Sequence, residues 1–208
     1  MKFVKPNHPI LTKLAKTLTP DKINSPKIKQ VIEQMLKIAH GEQKDGNKPI
    51  MVGLAAPQIG ILKRIILVDI KADGKGGIGN LRVFINPEIT WASKKEGEWY
   101  EGCFSIGRVC GIVSRSTSIK VKAYTLKTKF PHRKGEYELK EEKFKGYVSR
   151  IFQHEIDHLN GIRFPDLISD PNKLHWVLKK EFSIYRNKQA WKNWPNKYSF
   201  EKWKRIKH

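Results

Sequence analysis

Cysteine is scarce in this sequence: Cys103 and Cys110 are the two thiols in 208 residues. Two thiols cannot staple a chain of this length, which excludes a disulfide framework and makes the reducing cytoplasm the expected compartment. Long apolar runs are missing as well. No window approaches 18 uninterrupted apolar residues, so no membrane-spanning helix is expected. Residues 1–9 lack the apolar core of a secretory signal. Acidic residues are few, 20 against 41 lysines and arginines, for a formal net charge of +21. Such an excess favours polyanionic partners and says nothing about fold, and a well-solvated lysine-rich surface gives the same number. There is no internal repeat. The length suits one domain, with or without an appendage, and is ample for a real core.

What is present is organised by periodicity. Ile28, Val31, Ile32, Met35, Leu36 and Ala39 share one face of a helix expected over 26–39, capped by Ser25-Pro26 and ended by His40-Gly41. A polar run, 42–48, leads into apolar and small residues at 50–61. Residues 65–70 read as a buried strand and the glycine-rich 71–80 as a turn, with further strands at 82–89, 98–104 and 117–125. A charged hairpin around Lys134-Gly135 precedes a second helix, expected over 142–160. Its apolar stripe is Phe144, Tyr147, Val148, Ile151, Phe152 and Leu159, and Gly161 closes it. Strands followed by a helix, with no βαβ alternation, predict an α+β fold.

The composition shifts near residue 179. Residues 179–208 hold ten lysines and arginines, two acids and seven aromatics, and Pro195 interrupts any single long helix there. We therefore divide the chain into a domain at 1–178 and a basic, aromatic-rich extension at 179–208. Two readings of the extension are open. Its cations could neutralise phosphates while its rings stack on unpaired bases. Alternatively, it folds back through Trp191, Trp194 and Trp203 and leaves its lysines solvated.

The sharpest local feature is Gln153-His154-Glu155-Ile156-Asp157-His158 on the second helix. His154 and His158 stand four apart on one face, so both imidazoles can reach one cation, and Glu155 projects beside that face as a candidate base. Two imidazoles do not complete a catalytic site; a third protein ligand is needed. Downstream stand His175 and several acids in no recognised spacing. Upstream stands Glu101-Gly102-Cys103-Phe104-Ser105 at a strand end. There Gly102 permits close backbone approach, and the Cys103 thiolate is a good soft ligand. A small buried hydrophobe is the plainer reading of a lone cysteine, but much less so once the histidine pair stands on the helix, and Cys103 is the better ligand candidate of the two cysteines.

Three segments together resemble the peptide deformylase family: residues 52–60 (Val-Gly-Leu-Ala-Ala-Pro-Gln-Ile-Gly), residues 101–105 and residues 153–161. They stand in the family's order, and residues 6–11 and 85–89 are similar too, so the likeness covers roughly 4–168. The resemblance implies antiparallel or mixed sheets packed around a central metal-binding helix. It implies hydrolytic removal of the N-formyl group from the initiator methionine of new polypeptides. It also implies that Cys103, His154 and His158 hold one divalent metal, Fe²⁺ natively, with Zn²⁺ or Ni²⁺ able to replace it. Glu155 would be the general base and acid. Gln58 and the backbone N–H of Phe104 would steady the oxyanion, with Gly53 and Gly102 lining the substrate site. The implied partners are the formyl-methionyl nascent chain and, through a basic extension, the ribosome and its RNA; no membrane is implied.

The chain departs from the family pattern at Met51, where glycine is usual, at Gly107, where proline is usual, and at Cys110, where many members carry a substrate-binding arginine that Arg108 could replace. Two other functions compete: a metal hydrolase of this kind with an altered acyl substrate or little activity, and a basic RNA- or ribosome-binding protein with a structural metal. Glu155 speaks against the last, because a structural site needs no base.

Overall fold

The computed structural model describes residues 3–6, 8–44, 50–127 and 136–207, without the side chains of residues 188, 206 and 207. The expected hairpin at Lys134-Gly135, residues 45–48 of the polar run, and the Lys188 and Lys207 side chains lie outside the described residues. In chain order the elements are α1 (Pro20–Ile23), α2 (Pro26–Lys44), β1 (Gly53–Ala55), β2 (Ile65–Asp69), β3 (Leu81–Ala92), β4 (Glu96–Gly102), β5 (Val109–Ser116), β6 (Ser118–Leu126), β7 (Tyr137–Lys145), α3 (Gly146–Leu159), β8 (Leu174–Trp176), α4 (Phe182–Arg186) and α5 (Phe200–Lys207). All strand pairs are antiparallel. One sheet runs β1-β2-β3-β6-β7 and the other β4-β5-β8. The fold is α+β, with α3 lying against strands of both sheets. No helix among the described residues is long and apolar enough to cross a membrane.

The α2 stripe is borne out: Ile28, Ile32, Met35 and Ala39 are buried against β1 and β2. Its expected end at His40-Gly41 is not, since the helix continues to Lys44. Glycine costs a helix interior about 1 kcal/mol. Here Gln43 in the last turn donates from Nε2 to the Met51 carbonyl at 3.0 Å and to Asp69 Oδ2 at 3.3 Å, and these long-range bonds hold that turn.

The second helix starts later than its periodicity suggests. Residues 142–145 belong to β7, whose register with β6 runs unbroken from Leu126↔Tyr137 to Ser118↔Lys145. Gly146, at φ +59°, then breaks the strand and turns the chain into α3. Phe144 suits either period; in β7 its ring stacks on Phe152 of α3 at 4.3 Å.

The expected strands at 82–89, 98–104 and 117–125 appear as β3, β4 and β6 with shifted ends, while β1, β5 and β8 were not anticipated. In residues 179–208 the rings pack inward. Tyr185, Trp191 and Trp194 share a core with Tyr100, Cys110 and Ile112, and Tyr198 and Trp203 share another with Val109, Phe164 and Ile168. Trp203 also donates from Nε1 to Asp166 Oδ1 at 2.9 Å and lies 4.8 Å from the Arg163 guanidinium. These rings are therefore not free to stack on bases.

Candidate metal centre and cleft

Helical spacing brings His154 and His158 together on α3, with ring centroids 5.0 Å apart. The β4–β5 hairpin brings the third group. Gly102 pairs with Cys110, so Cys103 leaves the ladder at the head of a tight loop that turns back at Gly107, φ +76°. A proline cannot adopt that φ, which accounts for glycine at this position. Cys103 Sγ lies 3.3 Å from His158 Nε2, and the ligand atoms of Cys103, His154 and His158 all lie within 4.8 Å of one another. Among the described residues this is the one such cluster that could hold a metal ion. His175 stands apart: its Nε2 donates to the Asn172 carbonyl at 2.7 Å, and its Nδ1 accepts from the Tyr185 hydroxyl at 2.8 Å.

Beneath the cluster lies a buried ionic network that sequence reasoning did not find. Glu101 is 5% exposed. Arg115 donates to it from Nε and Nη2, both at 2.9 Å, and Arg150 from Nη1 at 2.7 Å. His154 donates from Nδ1 to Glu101 Oε2 at 2.9 Å, which fixes the tautomer and turns Nε2 toward the cluster. Arg115 also reaches Asp157 Oδ2 at 2.5 Å. Burial opposes the Glu101 charge, but Arg115 and His154 hold its carboxyl well below the ordinary carboxylate range. Its partners come from β5 and α3, a pairing that exists only in three dimensions.

Gln58 is oriented by its own turn. Its Oε1 accepts from the Ala55 N–H at 2.7 Å, so Nε2 is aimed at Cys103 Sγ (3.2 Å) and Ser105 Oγ (2.9 Å). Glu155 is buried against Gly53. A Cβ on Gly53 would meet Ile151 Cγ2 at 2.8 Å and Glu155 Cδ at 2.9 Å, so only glycine leaves room for this carboxylate. A cleft of about 680 Å³ opens here, lined by Gly53, Gln58, Gly102, Cys103, Phe104, His154 and Glu155. The expected site residues thus converge on one cleft, with His158 immediately behind it.

The donor set fits one borderline-soft divalent cation: a thiolate and two imidazoles from fixed positions. Burial raises the Cys103 thiol, but the His158 and His154 rings outweigh it and hold the thiol well below its ordinary value. Glu155 Oε2 is buried without a hydrogen-bond partner among the described residues, as expected for a group that faces a bound species. Burial pushes the Glu155 carboxyl up to about 7, with His154 and His158 pulling the other way.

Comparison with known proteins agrees with this geometry. The sequence matches the Polypeptide deformylase family over residues 1–174. The chain belongs to that family. It is 38% identical over 178 residues to the peptide deformylase of Thermotoga maritima, covering 86% of this chain and 92% of the relative. The crystal structure of a Thermotoga maritima peptide deformylase superimposes with a TM-score of 0.64 at 34% identity, over 81% of this chain and 97% of that one. A Met-Ala-Ser-bound class I type b peptide deformylase from Acinetobacter baumannii gives 0.67 at 33% identity, over 81% and 98%. The deformylase motifs at 52–60, 101–105 and 153–161 each contribute residues to the cleft. The departures from the deformylase pattern are absorbed structurally: Met51 fills the core beside Met35, and Cys110 is buried with Tyr100 and Tyr185.

Proposed function

We propose that this protein is a metal-dependent hydrolase that removes the N-formyl group from the N-terminal formyl-methionine of newly made polypeptides, releasing formate. The observation that carries this reading is the convergence of Cys103, His154 and His158 at the cleft that Glu155 lines, with Glu155 Oε2 buried and without a hydrogen-bond partner among the described residues. Cys103, His154 and His158 would hold a divalent cation, Fe²⁺ natively with Zn²⁺ or Ni²⁺ as replacements, which when bound supplies Lewis acidity.

The chain's own residues do the rest. Glu155 takes a proton from the attacking water as oxygen bonds to the formyl carbon, and returns it to the leaving nitrogen as the C–N bond breaks. A carboxyl near 7 suits both transfers at neutral pH. Gln58 Nε2, aimed by its own turn at Cys103 and Ser105, would exchange one of those two hydrogen bonds to donate to the developing oxyanion, and the Phe104 N–H is the second donor in this reading. Gly53 leaves space for Glu155, and Gly102 lets the substrate backbone approach.

In this reading the protein works on nascent chains in the cytoplasm, near the ribosome. With the extension's rings packed inward, any contact with ribosomal RNA falls to its exposed cations, among the described side chains Lys179, Lys180, Lys192, Lys197, Lys202, Lys204 and Arg205. The test is formate release from formyl-Met-Ala-Ser by anaerobically purified protein whose metal content is assayed. Metal-replete protein that releases no formate overturns the reading.

A further inference from the structure

Residues beyond 174 lie outside the stretch that matches the family, yet Lys179, Phe182, Ser183 and Arg186 line the same cleft as Cys103 and Glu155. Arg108, from the loop after Cys103, joins them. The cleft wall therefore carries three cations that the catalytic reading does not use. None of the three has a carboxylate partner among the described residues. The carboxylates lining the cleft are Glu101 and Glu155. Glu101 is consumed by Arg115, Arg150 and His154, and Glu155 is buried against Gly53. The rim is thus unneutralised.

Arg186 is also held in place. Its neighbour Tyr185 is fully buried, packs against Tyr100 at 5.9 Å and Trp194 at 5.1 Å, and donates its hydroxyl to His175. Phe182, one turn earlier in α4, lies against Gly102: a Cβ there would sit 3.8 Å from its ring. Arg186 is close enough to Tyr100 and Tyr147 to pull against the upward push of burial on both hydroxyls. An extended peptide advances about 3.3 Å per residue, and a cleft of about 680 Å³ admits a short one beyond the formyl group.

We propose that Arg186, with Arg108 and Lys179, forms a carboxylate-recognition subsite, so that the enzyme prefers formyl-methionyl peptides bearing an acidic side chain or a free terminal carboxylate shortly after the methionine. The proposal rests on the deformylase reading above and assigns part of residues 179–208 to substrate selection.

The test compares formyl-Met-Ala-Glu-amide, formyl-Met-Ala-Gln-amide and formyl-Met-Ala-Gln as the free acid. At low salt, kcat/KM for one or both charged peptides should exceed that of the neutral amide about fivefold, the scale of a partly exposed charge pair. The gain should sit in KM and fade as salt screens it. Which charged peptide gains tells side chain from terminus. The ratio should fall to about one in Arg186→Gln and persist in Arg186→Lys. Equal kcat/KM for all three peptides in the wild-type enzyme overturns the proposal, with no reliance on a folded variant. Calorimetric titration of the deformylated products Met-Ala-Glu-amide and Met-Ala-Gln-amide reads the same preference without turnover. Equal affinities there overturn the subsite even if no formyl peptide is cleaved, whereas a preference without cleavage overturns the deformylase reading alone.

Discussion

Glu101→Gln removes one charge from the most enclosed ionic network among the described residues while keeping the shape of the side chain. Glu101 accepts four hydrogen bonds, two from Arg115 and one each from Arg150 and His154. An amide can accept at its oxygen, but its NH₂ faces donors and must be turned away from at least one of them. The side chains of Arg115 and Arg150 are only 6% and 10% exposed, so water cannot take over. Asp157 still balances Arg115, which leaves the Arg150 charge without a counterion. Breaking a buried pair in this way costs about 3–5 kcal/mol. For a chain of this size that lowers Tm by about 6–20 °C, at about 2–4 °C per kcal/mol. Losing the carboxylate that fixes His154 should also weaken metal binding by about 10–100-fold. Thermal melts by circular dichroism and metal content after dialysis against a graded chelator read the two effects separately. A Glu101→Gln protein that melts within about 2 °C of wild type and holds metal equally well refutes the reasoning.

The ligand assignment predicts that Cys103→Ala, His154→Ala and His158→Ala each lose metal and formate release together, whereas Cys110→Ser keeps its metal; full occupancy in Cys103→Ala would remove that residue from the set. Glu155→Gln should retain metal yet lose about 10²–10⁴ in turnover, the usual contribution of a positioned base, and near-normal rates in metal-replete protein would contradict its role. Gly53→Ala should act like a milder version of that change, with metal retained and kcat reduced, because the new Cβ displaces the Glu155 carboxylate or Ile151. Trp203→Ala should destabilise the whole protein by about 3–5 kcal/mol, the cost of emptying a buried tryptophan site; a change under about 1 kcal/mol in urea unfolding would show that α5 is loosely attached.

The chemistry at the centre was legible in the sequence because helical geometry alone places His154 and His158 on one face with Glu155 beside them. The α+β class followed from period-two and 3.6 patterns that packing left in place. Where element ends moved, long-range contacts were responsible: Gln43 reaching Met51 and Asp69 extended α2, and the β6–β7 ladder claimed residues 142–145. Likeness to the deformylase motifs implied Cys103 as the third ligand, but only the β4–β5 hairpin sets its sulfur beside His158. Composition described residues 179–208 as basic and aromatic and could not say which way the rings face, because burial depends on the partner surface and that surface comes from β4 and β5, some eighty residues earlier in the chain. The Glu101 network and the cationic rim were hidden for the same reason. A charge becomes buried, or left without a partner, only through what the fold places around it, and local sequence carries no record of that neighbour.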